Sequence, residues 1–109
     1  MNSLENINIS AVDILCKYLA EIGISQNALA KNLGVPATRI HEIIRGRRKI
    51  TPDTDLRLCK FFGHTDGYFL RLQDNIEVKA TKQKIQKELE NIVPYSQKYA
   101  DMALKNINT

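Results

Sequence analysis

Between Ser25 and Gly46 the chain has room for two short helices and almost nothing between them. Ser25 suits a helix N-cap, because its hydroxyl can accept from an amide of the first turn that has no partner within the helix. Ala28, Leu29 and Leu33 then recur at helical spacing, and Gly34 ends the run, glycine being able to take the left-handed conformation at a helix C-terminus. Only Val35 separates that stop from Pro36, and proline fits a helix start, where its missing N–H costs nothing. Ile40, Ile43 and Ile44 give the next helix its inward stripe until Gly46, a span of roughly ten residues. Small Ala30 lies where the two helices must cross closely, and Ile40 and Ile43 are placed to lock the second helix on the first.

In that order these residues spell a helix-turn-helix, and charge gathers on the same stretch. Residues 25–50 hold six basic side chains against Glu42 alone, a net of +5. Residues 1–24 sum to −2, residues 51–74 to −1 and residues 75–109 to +2, so one segment exceeds the +4 of the whole chain. Such concentration presents a single face to a polyanion, and nucleic acid leads the candidates.

The rest of the sequence reads as helix too. Ser10 with Asp13 forms a capping pair ahead of Val12, Leu15, Leu19 and Ile22, and Gly23 closes that helix. Thr51 and Pro52 start another helix, with Asp53 and Asp55 in the first turn where the dipole favours acids, and Leu56, Cys59 and Phe62 as its expected buried stripe. Gly63 closes it, and Thr65 with Asp66 opens a segment whose Tyr68, Phe69 and Leu72 are expected to cap the core. A polar helix follows, with Ile85, Leu89 and Ile92 at loose helical spacing, interrupted at Pro94, and Tyr95, Tyr99, Met102 and Ala103 lie in a tail.

A length of 109 residues is that of one domain, and 43% hydrophobic with 26% charged residues is a globular composition. No apolar run approaches a membrane span and the N-terminus lacks a basic region before an apolar one, so insertion and secretion are not expected. Cys16 and Cys59 belong to no C-x-x-C pair, and two buried free thiols of a cytosolic protein are expected.

With the isoleucines of the third helix facing inward, Ala37, Thr38, Arg39, His41, Glu42 and Arg45 face outward. Arg39 can offer two donors to guanine, Glu42 can accept from cytosine or pair with Arg39 or Arg45, Thr38 can reach a base edge or thymine methyl, and Ala37 can meet a methyl. His41 is expected to face the same surface rather than hold a metal. Ala37, Thr38, Arg39, His41 and Glu42 are therefore the base-reading set. Arg45, Arg47, Arg48 and Lys49 lie where the chain leaves the groove and suit phosphates, as do Ser25, Gln26 and Asn27 at the start of the second helix. His64 receives no role. Neither a nucleophile–base arrangement nor a metal-ligand cluster is visible, so catalysis, metal and cofactor are not expected. A module that occludes a protein partner, with little DNA binding, stays open as a second class of function.

The stretch ISQNALAKNLGVPATRIHEIIRGRRKITPDTDLRL resembles the Xre-type helix-turn-helix domain, specifically that of the HigA (VapI-like) antitoxins of bacterial toxin–antitoxin modules, over roughly residues 10–78. His41 stands where that family commonly has Asn, Gly67, Tyr68 and Phe69 replace its Glu-Phe-Trp, and Ser10, Ala11 and Val12 replace its His-Pro-Gly opening. The resemblance implies an all-α fold: a five-helix lambda-repressor-like DNA-binding domain at 10–78, an arm at 1–9, and a C-terminal helix or tail at 79–109. It also implies a cytoplasmic bacterial repressor that binds operator DNA as a homodimer, with Gln26, Thr38, Arg39 and Arg45 at DNA positions, and that neutralises an mRNA-cleaving toxin. An orphan regulator of the same family without a toxin is the alternative.

Overall fold

The computed structural model describes residues 9–96, and all its regular structure is helical, as expected. Among the described residues six helices follow one another: α1 (Ala11–Ile22), α2 (Gln26–Leu33), α3 (Ala37–Ile44), α4 (Pro52–Phe62), α5 (Tyr68–Lys84) and α6 (Gln86–Glu90). The chain divides into two compact units, Met1–Val78 and Lys79–Thr109. Tyr99, Met102 and Ala103 and the arm at 1–8 fall outside the described residues.

In the first unit α1, α2 and α4 begin and end on the chemistry the sequence announces, a serine or threonine N-cap and a left-handed glycine at the C-terminus. Ser10 Oγ accepts from Asp13 N at 3.0 Å while the Asp13 carboxylate accepts from Ser10 N at 3.3 Å, a reciprocal cap for α1. Thr51 caps α4. The core comes from one face of every helix: Leu15 and Leu19 of α1, Leu29 and Leu33 of α2, Ile40 and Ile43 of α3, Leu58 of α4, and Phe69 and Leu72 of α5. Burying such side chains is worth about 1.5–3 kcal/mol each before chain entropy opposes it.

Four expectations need correction. α1 packs through Ala11, Leu15 and Leu19, so Cys16, one position past the inward line, is exposed, and Ile22 is 50% exposed; of the two free thiols only Cys59 is buried. α4 is rotated relative to its expected stripe. Thr54, Asp55, Leu58 and Cys59 point inward, Leu56 is 47% exposed and Phe62 is half-buried. The cause is Asp55. Its carboxylate, 1% exposed, accepts from Gly67 N at 2.7 Å, Phe69 N at 2.9 Å and Leu70 N at 3.1 Å. The start of α5 thus supplies the donors that make burial of a carboxylate tolerable, and Leu56 is carried outward. α3 is shorter than expected, eight residues: Arg45 is its C-cap, with its N–H bonded to His41 O but its ψ near −1°, and the left-handed Gly46 follows. Lastly, the polar helix breaks at Ile85, well before Pro94, dividing it into α5 and α6.

An aromatic cluster closes one end of this core. The His64 ring stacks on Tyr68 at a centroid distance of 3.8 Å and shares a 2.8 Å hydrogen bond with Tyr18 Oη. Burial, followed by the neighbouring Tyr68, pushes the Tyr18 hydroxyl pKa up. His64 therefore ties α1 to the loop before α5.

Candidate nucleic-acid interface

The α2–α3 turn is fixed by its backbone. Ser25 Oγ accepts from Ala28 N at 3.0 Å, so this hydroxyl is engaged in capping α2. At the other end Gly34 has φ 71°, Val35 N donates to Ala30 O at 3.0 Å, and Gly34 N donates to Lys31 O at 3.2 Å. These two bonds satisfy carbonyls at the helix end and reverse the chain within two residues. Val35 and Ala30 are buried beneath the turn, and Ile40 and Ile43 seat α3 on the core. The end of α3 repeats the device, with Gly46 at φ 75° and Arg47 N donating to Glu42 O at 2.9 Å. That sharp exit ends the helix and turns the following chain, which carries Arg47, Arg48 and Lys49, out of its axis.

An eight-residue α3 is about 12 Å long, comparable with the width of a B-DNA major groove. Its outward side chains are not equivalent. Thr38 is exposed, while Ala37 is half-buried and packs partly on the core. Arg39 keeps 28% of its side chain exposed, and its Nη1 donates to Asp53 Oδ1 at 2.8 Å. The His41 ring hydrogen-bonds Asn27 Oδ1 at 2.9 Å through Nε2, joining the outer faces of α3 and α2. Glu42 pairs with Arg48 at 2.6 Å rather than with Arg39 or Arg45, because the turn at Gly46 brings Arg48 back alongside the helix. Gln26 is half-buried at the start of α2.

Among the basic residues, two groups separate. Arg45 and Arg47 are exposed and make no side-chain hydrogen bond or ion pair among the described residues. Arg48 and Lys49 each hold an acid. Lys49 Nζ donates to Glu77 Oε2 at 2.9 Å, and this bond raises the lysine pKa. The loop bearing them is held by Gln73, whose Oε1 accepts from Ile50 N at 2.9 Å and whose Nε2 donates to Ile50 O at 3.0 Å.

Sequence reasoning missed the supporting residues Asp53, Arg57, Gln73 and Glu77. Arg57 Nη1 donates to Leu33 O at 2.8 Å and lies 3.5 Å from Gly34 O, which places a cation on the carbonyl end of α2. Arg57 Nε donates to Asp53 Oδ1 at 2.8 Å, the oxygen that also receives Arg39. The Arg57 bond first, and the Arg39 bond second, hold the Asp53 carboxyl below the usual range. The i, i+4 spacing of Asp53 and Arg57 was a visible signal of that pair. Nothing in the sequence marked the reach of Arg57 back to the turn.

Among the described residues no three His, Cys, Asp or Glu side chains gather as metal ligands, and no helix is long and apolar enough to cross a membrane.

A helix-turn-helix family model, HTH_3, matches residues 17–69. The chain is 41% identical over 80 residues to Virulence-associated protein I of Dichelobacter nodosus, a match covering 73% of each chain. It superposes on an addiction module antidote protein of the HigA family from Coxiella burnetii with a TM-score of 0.73 and 41% identity, over 81% of this chain and 98% of that one. With Pseudomonas aeruginosa antitoxin HigA, solved with the higBA promoter, the TM-score is 0.71 at 29% identity, over 81% of this chain and 98% of the other.

Proposed function

Since the chain belongs to the HigA-type antitoxins of the helix-turn-helix family, we propose that it is a sequence-specific DNA-binding repressor and antitoxin. It acts in the bacterial cytoplasm, represses its own operon as a homodimer and neutralises an mRNA-cleaving toxin. The family is one of DNA-binding proteins and not of enzymes. What supports the DNA reading best is the surface of α3 and its exit: a polar helical face followed by Arg45 and Arg47, two exposed cations engaged by no acid among the described residues.

In this reading Thr38, Arg39 and His41 meet base edges, and Ala37 and Glu42 flank them at the groove wall. Arg45 and Arg47 hold phosphates, joined by Arg48 and Lys49 once phosphate oxygens displace Glu42 and Glu77 from them. Gln26 and Asn27 at the start of α2 contact the neighbouring phosphate, with the Ser25 cap keeping the first amides of that helix in place. Two copies read half-sites about 34–36 Å apart, one helical turn of DNA.

The test is a titration against the DNA upstream of the chain's own gene and against a scrambled duplex, at two salt concentrations. Four or five phosphates per monomer give a dimer slope of log K against log salt of about −7 to −9. Arg39→Ala is expected to weaken operator binding by about 1–3 kcal/mol and relax one base position, while Arg47→Ala weakens both duplexes alike and flattens the slope by about one per monomer. Equal weak binding to both duplexes would overturn the repressor reading and favour protein occlusion as the main activity. Co-expression with the mRNA-cleaving toxin proposed as its partner tests the antitoxin half: growth is restored if the chain neutralises the toxin, and arrest persists if it does not.

A further inference from the structure

An arginine that reads guanine must hold a flexible side chain in one orientation, and the structure surrounds Arg39 with the means to do so. Asp53 sits on the first turn of α4, outside the helix-turn-helix itself. Its Oδ1 receives Arg39 Nη1 and Arg57 Nε, each at 2.8 Å. Arg57 in turn is fixed to the backbone of the α2–α3 turn through Leu33 O at 2.8 Å. A continuous chain of charge-assisted bonds therefore runs from the turn through Arg57 and Asp53 to Arg39. Its geometry is also selective. Asp53 occupies one proton of Nη1 and leaves Nε and Nη2 of Arg39 with no partner among the described residues. Those two nitrogens form one edge of the guanidinium fork, the pair of parallel donors that fits N7 and O6 of a guanine.

We propose that Asp53 is a specificity-determining positioning residue: it orients Arg39 so that the Nε/Nη2 edge is presented to a guanine, with Arg57 holding Asp53 in register with the turn. The inference deepens the DNA-binding reading and rests on it. An unheld arginine loses rotamer freedom when it docks and can also turn to the phosphates, where it carries no sequence information. Holding it beforehand converts a general cation into a base reader. Asp53 also removes one positive charge from the surface, which disfavours indiscriminate phosphate binding.

The experiment is selection of binding sites from a duplex with a randomised half-site, followed by titration of the preferred site and its single-base variants. Wild type, Arg39→Ala, Asp53→Asn and the double variant are compared, with helical content and thermal midpoint recorded for each. Arg39→Ala identifies the base position that depends on this side chain. Asp53→Asn is expected to reduce the guanine preference at that same position by about threefold to tenfold, to keep the preferences elsewhere, and to bind scrambled DNA at least as tightly as wild type. In the Arg39→Ala background Asp53→Asn is expected to leave discrimination unaltered, since the residue it orients is gone. Unchanged preference at the Arg39-dependent position in Asp53→Asn overturns the proposal while leaving the DNA reading intact. Loss spread evenly over every position overturns it too, because that is the mark of a loosened fold. Asp53→Glu, which retains the carboxylate, keeps part of the preference if charge and acceptor are what matter, and a preference no better than that of Asp53→Asn counts against the assigned bonding. Equal binding of wild type to all sequences overturns the DNA-binding reading and this one with it.

Discussion

Replacing Asp55 with alanine removes one side chain and leaves three backbone donors facing inward. Gly67 N, Phe69 N and Leu70 N all donate to its carboxylate, and Phe69 is fully buried, so water cannot replace the lost acceptor at that amide. Loss of a helix cap costs about 0.5–2 kcal/mol. A buried donor left without a partner adds roughly 1–3 kcal/mol. The two together give about 3 kcal/mol, which for a domain of this size lowers the thermal midpoint by roughly 12–24 °C. Asp55→Asn keeps one oxygen for Phe69 and Leu70 but turns an amide NH2 toward Gly67 N, so its loss is expected to fall between alanine and wild type. Asp53→Ala, two positions earlier and exposed, provides the comparison and is expected to shift the midpoint by a small fraction of that amount. Thermal denaturation followed by circular dichroism ranks the three. Midpoints for Asp55→Ala and Asp53→Ala that coincide would refute the claim that the buried carboxylate holds the start of α5. The consequence reaches the interface, because α5 carries Gln73 and Glu77, which hold the basic loop.

Three further outcomes are open to direct measurement. Gly34→Ala puts a β-carbon on a residue at φ 71° and 3.4 Å from Arg57 Nη1; about 1–2 kcal/mol of left-handed strain is expected as a lower thermal midpoint. Gln73→Ala takes both partners from the Ile50 backbone, so hydrogen exchange at the Ile50 amide is expected to accelerate about tenfold or more while the α1 amides keep their protection. The lowered pKa of Asp53 means that its contribution to stability is fully present above the ordinary carboxylate range near 4 and is lost as pH falls through the depressed folded value. The difference in midpoint between wild type and Asp53→Asn is therefore expected to be constant near neutrality and to shrink only in acid.

The helix-turn-helix was legible because its signals are local: a serine cap, a glycine stop, a proline start and isoleucines at helical spacing each act within a few residues. The face of α4 was not, and the reason is specific. Periodicity favoured Leu56, Cys59 and Phe62, whereas the helix turned Asp55 inward to meet amides some twelve residues away. A buried carboxylate with distant donors leaves no trace in a hydrophobic pattern. The same holds at the interface. The basic residues of 45–49 were visible as a run, but their division into two exposed cations without acids among the described residues and two paired ones depends on Glu42 and Glu77, brought close by a turn and by α5. For Arg57 the sequence offered only the i, i+4 spacing to Asp53. Its contact with Leu33 O spans 24 positions, and only the packing of α4 against the end of α2 creates it.

That division of the cations separates what sets affinity from what sets target choice. Glu77 competes with phosphate for Lys49, and an exposed pair of this kind is weak enough for phosphate to displace it. Glu77→Gln removes the competitor and one negative charge near the loop. Because the gain is to phosphate, it is expected to raise affinity for operator and scrambled duplexes by the same factor and to steepen both salt slopes by up to about 0.9 per monomer. The ratio of the two affinities should stay as it was. A changed ratio would place Lys49 against a base edge and refute its assignment to phosphate. In a cell, where one operator competes with a genome of other sites, occupancy follows that ratio more closely than absolute affinity. The acids of α5 would then set the salt range over which the protein binds, and the α3 face the sequence it selects.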